Sequence, residues 1–348
     1  MNKLNIKNFT IEELEEIMVQ NGFSRFRGLQ IFKWIYKDVA SFKYMKNLPL
    51  SIIDFLNEKF FLGRTALIEK QQSKDGTIKY LLGLHDQNAV ECVLMDYKHG
   101  YSVCISSQVG CRMQCSFCAS TEGGLIRSLT SGEMVEEVMA AAREKGVVIS
   151  NIVVMGIGEP FDNYDELIKF LKIINNKEGL NIGMRHITIS TSGVVPRIYS
   201  FADENLQCTL AISLHSPFDE ARSRLMPINK KYNIGELLKA CDYYISKTNR
   251  RITFEYALIS NVNDREDDAK ALSKLLKGKL CHINLIPINP VSGKEHIKSD
   301  NKRVEAFKKI IEDNGLQVTV RRELGSDIQG ACGQLRKSYI SAENNLIS

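Results

Sequence analysis

Nowhere in the 348 residues do eighteen uncharged apolar residues run together, and the N-terminal "MNKLNIKNFTIEELEE" has no apolar stretch behind its lysines. These absences support neither a helical membrane span nor a secretory leader, and the expectation is a cytosolic chain without a membrane partner. Low-complexity segments are also missing. With 44% hydrophobic and 25% charged residues the chain has matter for a large core and for more than one domain, which excludes a disordered protein. Charge of one sign does not dominate: the formal net charge is +5, weak evidence by itself for a polyanionic partner. A four-ligand metal pattern is lacking too, since no second Cys-x-x-Cys and no His-x₃-His accompany the one cysteine cluster, and structural zinc takes four ligands.

What the chain does have is nine cysteines, three of them packed into "GCRMQCSFCAS" as Cys111, Cys115 and Cys118. An odd count with one tight cluster, in a large cytosolic chain, points to metal or redox chemistry rather than to a disulfide scaffold.

The first segment reads as helical. Thr10 and Glu13 form a capping box ahead of Ile11, Leu14, Ile17 and Met18; "FRGLQIFKWIYKDV" and "SIIDFLNEKF" carry two further apolar stripes. From about Thr65 short strands take over, "TIKYLLGL" and "AVECVLMDY". After Gly100 strands and helices alternate through "LQVTVRR", six or seven βα units against the eight of a complete TIM barrel. The expected fold is therefore α/β, a partial (β/α)6-type barrel with a small N-terminal helical accessory domain. The expected division is 1–65 for that domain, 66–98 for a connecting β-hairpin region, 99–335 for the barrel core and 336–348 for a tail.

A Cys-x₃-Cys-x₂-Cys set suits three corners of a [4Fe-4S] cube, whereas an electron-transfer cluster normally takes four cysteines. One iron stays open for a substrate or cofactor. Three unrelated buried cysteines are the bland alternative. The spacing after the first barrel strand, with Phe117 before the last cysteine, resembles the radical S-adenosylmethionine superfamily, in which the open iron chelates S-adenosylmethionine and an electron cleaves it to a deoxyadenosyl radical.

The ends of later strands, where a barrel places its chemistry, agree. In "MGIGEP" glycines let backbone approach a ligand, with Glu159 able to accept from an ammonium and Pro160 behind it. Ser190 in "ISTSG" and Ser213, Leu214 and His215 in "SLH" suit ribose and carboxylate contacts, and Asn289 in "IPINP" an adenine edge. Singly, each reads equally as a strand-end cap.

In order along the chain, "SQVGCRMQCSFCAS", "MGIGEP", "ISTSGVVP", "LAISLHSP", "LMPINKKYNI", "INLIPINP" and "ACGQL" resemble the RlmN/Cfr family of radical S-adenosylmethionine RNA methyltransferases over nearly the whole chain. The resemblance implies a [4Fe-4S] cluster on Cys111, Cys115 and Cys118, and S-adenosylmethionine bound by the strand-end residues above. It implies that one S-adenosylmethionine methylates Cys332, and that a second, cleaved reductively, removes a hydrogen from that methyl group. The carbon radical then adds to an adenine ring carbon, Glu91 is the proton acceptor, and Cys104 resolves the adduct through a transient disulfide with Cys332. By themselves Cys104 and Cys332 read equally as buried structural thiols, and Glu91 as a solvated strand residue.

"GEP" with Asn163 shortly after, and "IPINP", are more similar to the C2-specific subtype than to the C8-specific resistance subtype. That implies adenine 2503 of 23S rRNA as the target and, in some members, adenine 37 of tRNA. The short segment after "ACGQL" leaves the tRNA activity open. The implied electron donor is a flavodoxin or ferredoxin. Between Ser24 and Lys46, Arg25, Arg27, Lys33, Lys37, Lys43 and Lys46 interleave with Phe26, Phe32, Trp34, Tyr36, Phe42 and Tyr44, a pattern that can hold phosphates and stack bases. An amphipathic core helix explains Phe32 better. Two rivals need no Cys332: a radical activase of a partner protein, and an iron-sulfur or RNA-binding module without turnover.

Overall fold

The computed structural model describes residues 3–288, 296–325, 327–328, 333–336 and 338–339. Helix α1 (Ile11–Gln20) starts where the sequence places it: Thr10 Oγ1 accepts from the Glu13 N–H, and the Glu13 carboxylate accepts from the Thr10 N–H. Helix α2 (Arg27–Ile35) crosses it so closely that a Cβ on Gly28 would stand 2.4 Å from the Glu15 backbone nitrogen. It ends four residues before Val39, because Asp38 adopts a left-handed φ of +56°. Helix α3 (Leu50–Lys59) completes the accessory domain, and strand Phe60–Phe61 returns to pair with Leu4–Asn5. Phe32 and Phe42 are core residues, while Phe26 and Tyr44 are exposed.

Among the described residues the main sheet has ten strands. Ala66–Gln72, Ile78–Gly83, Ala89–Tyr97 and Gly100–Ile105 form an antiparallel meander. Gly100–Ile105 also begins the parallel part, followed in sequence and in space by Ile149–Val154, Ile187–Thr191, Thr209–Ser213, Ile252–Leu258, Cys281–Pro287 and Val318–Val320. Crossing helices are α4 (Ser131–Lys145), α5 (Tyr164–Ile174), α6 (Val195–Asp203), α7 (Asp219–Leu225) with α8 (Ile234–Thr248), α9 (Glu266–Leu276) and α10 (Asn301–Asp313). The six crossovers agree with the expected partial barrel. Among the described residues the two outermost strands do not pair, so the barrel stays open.

Several elements escaped the sequence reading, three of them in or around the main sheet. Strand Ala66–Gln72 is a largely exposed edge strand without apolar alternation, α6 carries a proline in its first turn, and α7 is too short to show a period. The 66–98 region is more than a connector, since its strands extend the barrel's own sheet.

The accessory domain is fastened to α4 by buried charge. The Lys7 ammonium, 2% exposed, pairs with the fully buried Glu136 carboxylate, which also accepts from Arg143 (2.7 Å) and from the Thr65 N–H (3.1 Å). Asn8 Oδ1 accepts from the Gly132 N–H at 3.0 Å. Burial pushes the Lys7 pKa below its ordinary value, against the pull of Glu136. Glu136→Leu strands that ammonium and is expected to cost roughly 3 to 5 kcal/mol in urea unfolding, while the double variant Lys7→Met/Glu136→Leu recovers most of the loss.

Candidate active site at the open end of the barrel

The parallel strands all end on one side, and a cavity of about 350 Å³ opens there. Its wall brings together Cys104, Cys111, Cys115, Cys118, Glu159, Pro160, Ser190, Ser213 and His215, contributed by residues up to 111 positions apart in the chain. Leu214 is fully buried behind the wall and donates its N–H to the Glu255 carbonyl (3.0 Å). Glu91 is buried on the strand beside that of Cys104 and pairs with Lys79 at 3.0 Å. Asn289 and Cys332 lie outside the described residues.

The cysteine loop is closed at its neck by a two-stranded ribbon, Gln108–Gly110 against Leu125–Ser128. Gly110 has φ +79°, and a Cβ there would stand 2.0 Å from the Gly124 carbonyl oxygen, so only glycine fits. Ser116 N–H donates to the Leu225 carbonyl at the end of α7 (2.9 Å), and Cys118 N–H to the Cys115 carbonyl (3.1 Å). Burial pushes the Cys111 thiol up to about 12, and the Cys115 thiol is raised by burial and then by the neighbouring Cys118 and Cys111. Three adjoining thiols in so dry a place ionise together only against a bound cation, which is what a cluster's irons offer. Among the described residues no three His, Cys, Asp or Glu side chains are grouped to hold a single metal ion, whereas each thiolate on a cluster would meet a different iron. The expected Cys104–Cys332 disulfide falls on Cys332, which lies outside the described residues.

Glu159 is buried beyond the end of its strand. Its carboxylate accepts from the backbone N–H of Phe161 (3.0 Å) and of Ser192 (2.7 Å), so it ties one strand-end loop to the next. The glycines around it give the ligand its room. A Cβ on Gly158 (φ +111°) would strike Gln108 at 2.6 Å.

His215 is buried with φ +56°; its Nδ1 accepts from the Ala257 N–H (2.9 Å), and its ring meets Phe117 edge-on at 4.8 Å. Burial, with the Arg222 cation, drops its pKa to about 3, so the imidazole is neutral and Nε2 carries its proton.

Two residues were not singled out from sequence. Arg222 is fully buried and donates to the carbonyls of Ser192 (2.7 Å), Ser213 (2.9 Å) and Leu214 (3.1 Å), and to Asn229 Oδ1 (2.8 Å). Nothing local distinguishes it from the exposed Arg224 two residues on. Glu255 lines the cavity, accepting from Asn284 Nδ2 at 2.8 Å; the charge inside the apolar strand "RITFEYALIS" was its available signal.

Comparison with known proteins adds a second line. Residues 4–61 match the family model of the ribosomal RNA large subunit methyltransferase N-terminal domain, and residues 105–272 that of the radical SAM superfamily. The chain is 55% identical over 341 residues to a protein of Clostridium perfringens strain 13 named probable dual-specificity RNA methyltransferase RlmN, covering 97% of this chain and 98% of that protein. A protein of the same name from Caldanaerobacter subterraneus is 56% identical over 338 residues, with 97% and 98% coverage. The crystal structure of a radical SAM methyltransferase from Sphaerobacter thermophilus superposes with a TM-score of 0.91 at 44% identity, covering 95% of this chain and 98% of that one.

Burial raises the Glu255 pKa from 4.5 to about 7, against the opposing pull of Arg321 and Asn284. Below the ordinary value both folded and unfolded states are protonated. Between there and 7 only the folded state keeps the proton, so stability falls as pH rises through that window and levels off above it. In urea unfolding across this pH range, Glu255→Gln is expected to gain on the wild type by up to about 3 kcal/mol, with a flat difference above pH 7.

Proposed function

The chain belongs to the RlmN family of radical S-adenosylmethionine RNA methyltransferases, and from that premise we propose that it methylates C2 of adenine 2503 in 23S rRNA and of adenine 37 in tRNA, with Cys332 as methyl carrier. The observation that carries this reading is the shared cavity wall of Cys104 and the three cluster-loop cysteines, with the backbone next to Cys332 packed against the same loop at Ser120.

When bound, the [4Fe-4S] cluster and S-adenosylmethionine supply reducing power, an electrophilic methyl group and hydrogen-atom abstraction. The chain's own residues do the rest. Cys111, Cys115 and Cys118 hold three irons. The glycine-rich backbone before Pro160 receives the amino end of S-adenosylmethionine, with Ser190, Ser213, Leu214, His215 and Asn289 around its remainder.

Adenine C2 is electrophilic and has no lone pair to attack a sulfonium methyl, so polar transfer from S-adenosylmethionine fails there. A carbon radical on the methylated Cys332 sulfur can add, at the cost of a covalent RNA–protein link. Once the adduct radical has given up one electron, which the oxidised cluster would take back, and the C2 proton, the Cys104 thiolate attacks the Cys332 sulfur: an S–S bond forms as the S–C bond breaks, and the electron pair of that bond takes a proton to leave a methyl group on C2. Such a step needs a reachable sulfur, and Cys104 lines the cavity.

The accessory domain supports an RNA substrate. Arg27 lies over the Phe26 ring (4.6 Å), Lys37 over Trp34 (4.8 Å) and Lys43 over Tyr44 (5.2 Å), pairing cations for phosphates with rings for splayed bases. No helix among the described residues is long and apolar enough to cross a membrane. A flavodoxin or ferredoxin fits the need for single electrons.

Anaerobic turnover of the reconstituted protein on a 23S rRNA fragment, followed by mass spectrometry of digested adenines and of the Cys332 peptide, tests the reading. The expected products are 2-methyladenine and a methylated Cys332 in resting protein; 8-methyladenine would refute the C2 assignment. Cys332→Ala is expected to abolish RNA methylation and Cys104→Ala to leave RNA linked to protein; full activity of Cys332→Ala would support a radical activase instead.

A further inference from the structure

The antiparallel part of the sheet grips the C-terminal segment on both sides of Cys332. Before it, Gly325 N–H donates to Asp75 Oδ2 (2.9 Å), and Asp327 accepts from the Ser73 hydroxyl and from the Lys74 N–H (3.1 Å). After it, the N–H of Gly333 donates to Glu91 Oε2 (2.9 Å), that of Arg336 to Glu91 Oε1 (2.6 Å), and Arg336 Nε to the Ala89 carbonyl (2.9 Å). Leu335, 2% exposed, packs with Leu81 and Ala89. Gly333 has φ +80°, and a Cβ there would stand 2.7 Å from Ser120 Oγ and 3.0 Å from the Ser120 nitrogen, two residues beyond Cys118. The chain immediately after Cys332 is thus clasped between Glu91 and the cluster loop.

Glu91 is oriented for this task. Alternation along Ala89–Tyr97 puts it on the same face as Val93 and Met95, which line the cavity, and Val93 is the register partner of Cys104. Its carboxylate is 3% exposed and takes two backbone N–H groups and the fully buried Lys79 ammonium. A carboxylate receiving the free N–H groups at the start of a helical turn is a cap, supplied here from a distant strand. Both oxygens are committed, which suits an anchor better than a base.

We propose that Glu91 is a positioning residue for the methyl-carrying thiol: it caps the backbone turn that begins at Gly333, directly after Cys332, and holds that turn against the cluster loop at Ser120, with Lys79 as its counter-ion. The inference rests on the reading of Cys332 as methyl carrier and replaces proton uptake as the role of Glu91.

The test uses the full chain and three readouts: hydrogen exchange of the peptide spanning 333–336, methylation of Cys332, and RNA-linked protein after turnover. Glu91→Gln is expected to speed exchange of that peptide about ten- to hundred-fold while barrel peptides stay unchanged, to lower Cys332 methylation, and to yield little RNA-linked protein. Unchanged exchange with full Cys332 methylation and accumulating RNA-linked protein would overturn the proposal in favour of a proton acceptor. Since Glu91→Gln disturbs the pairing of Lys79, Gly333→Ala, which spares that pair, serves as the second variant. It should give the same exchange and methylation signature, and wild-type values for both would overturn the anchor. The exchange readout requires neither S-adenosylmethionine nor RNA. A wild-type protein that never methylates Cys332 would therefore defeat the methyl-carrier reading while leaving the anchor's outcome separately visible.

Discussion

Parallel strands that splay apart to admit a ligand leave their last carbonyls without ladder partners, and the buried Arg222 guanidinium supplies donors to three of them. The rim of the cavity depends on this cation. Each charge-assisted hydrogen bond contributes about 1.5 to 3 kcal/mol, and removing the donor leaves several acceptors dry at once. Burial drops the Arg222 pKa to about 10, still far above neutrality, so the guanidinium stays charged beside the cysteine loop. A rigid fork of five donors is what this geometry demands; a lysine offers three on a flexible stem and no plane. The strand-end loops of Ser192, Ser213 and Leu214 are thereby held to one another before any ligand arrives.

Buried carboxylates do the corresponding work around the periphery, and their environments separate their roles. Glu159 joins two strand-end loops through backbone N–H groups, Glu136 receives cations from the accessory domain and from its own helix, and Glu91 receives an ammonium and a distant turn. Glu255 has one amide donor, with Arg321 acting only through space. Burial raises its pKa to about 7 within the cavity wall. Carboxylates that carry struts are poor proton carriers, because every lone pair given to a structural donor is one fewer for a substrate.

This division explains what could be read from sequence. The Cys-x₃-Cys-x₂-Cys spacing, the glycines of "MGIGEP" and the hydroxyls and imidazole at strand ends are local patterns, and their residues line the cavity. The capping box at Thr10 is equally local. Arg222 and Glu255 become special only through burial created by elements far away in the chain. The same holds for Lys7 and Glu136, 129 residues apart. Roles that sequence did suggest for Glu159 came from residue type, which identifies an acceptor but does not identify its donor. The early end of α2 shows the limit of periodicity: the apolar stripe continues to Val39, but the left-handed Asp38 stops the helix.

Adjacent residues on α4 face opposite partners. Glu136 reaches outward to Lys7, and Glu137 reaches inward, where its Oε2 accepts from the Ser106 N–H at 3.0 Å just past the strand of Cys104. Ser106 in turn donates its hydroxyl to the Glu91 carbonyl (2.9 Å), and the Ser107 carbonyl accepts from Asn163 (2.9 Å), so the stretch leading into the cysteine loop is fixed from several sides. One helix therefore links the accessory domain's ion pair to the start of the cluster loop through two consecutive side chains. Helices and close-packed cores do not deform continuously, so the aromatic and basic surface and the cavity keep a set separation. If RNA engages that surface as proposed, the target base has to leave its stack to reach the cavity.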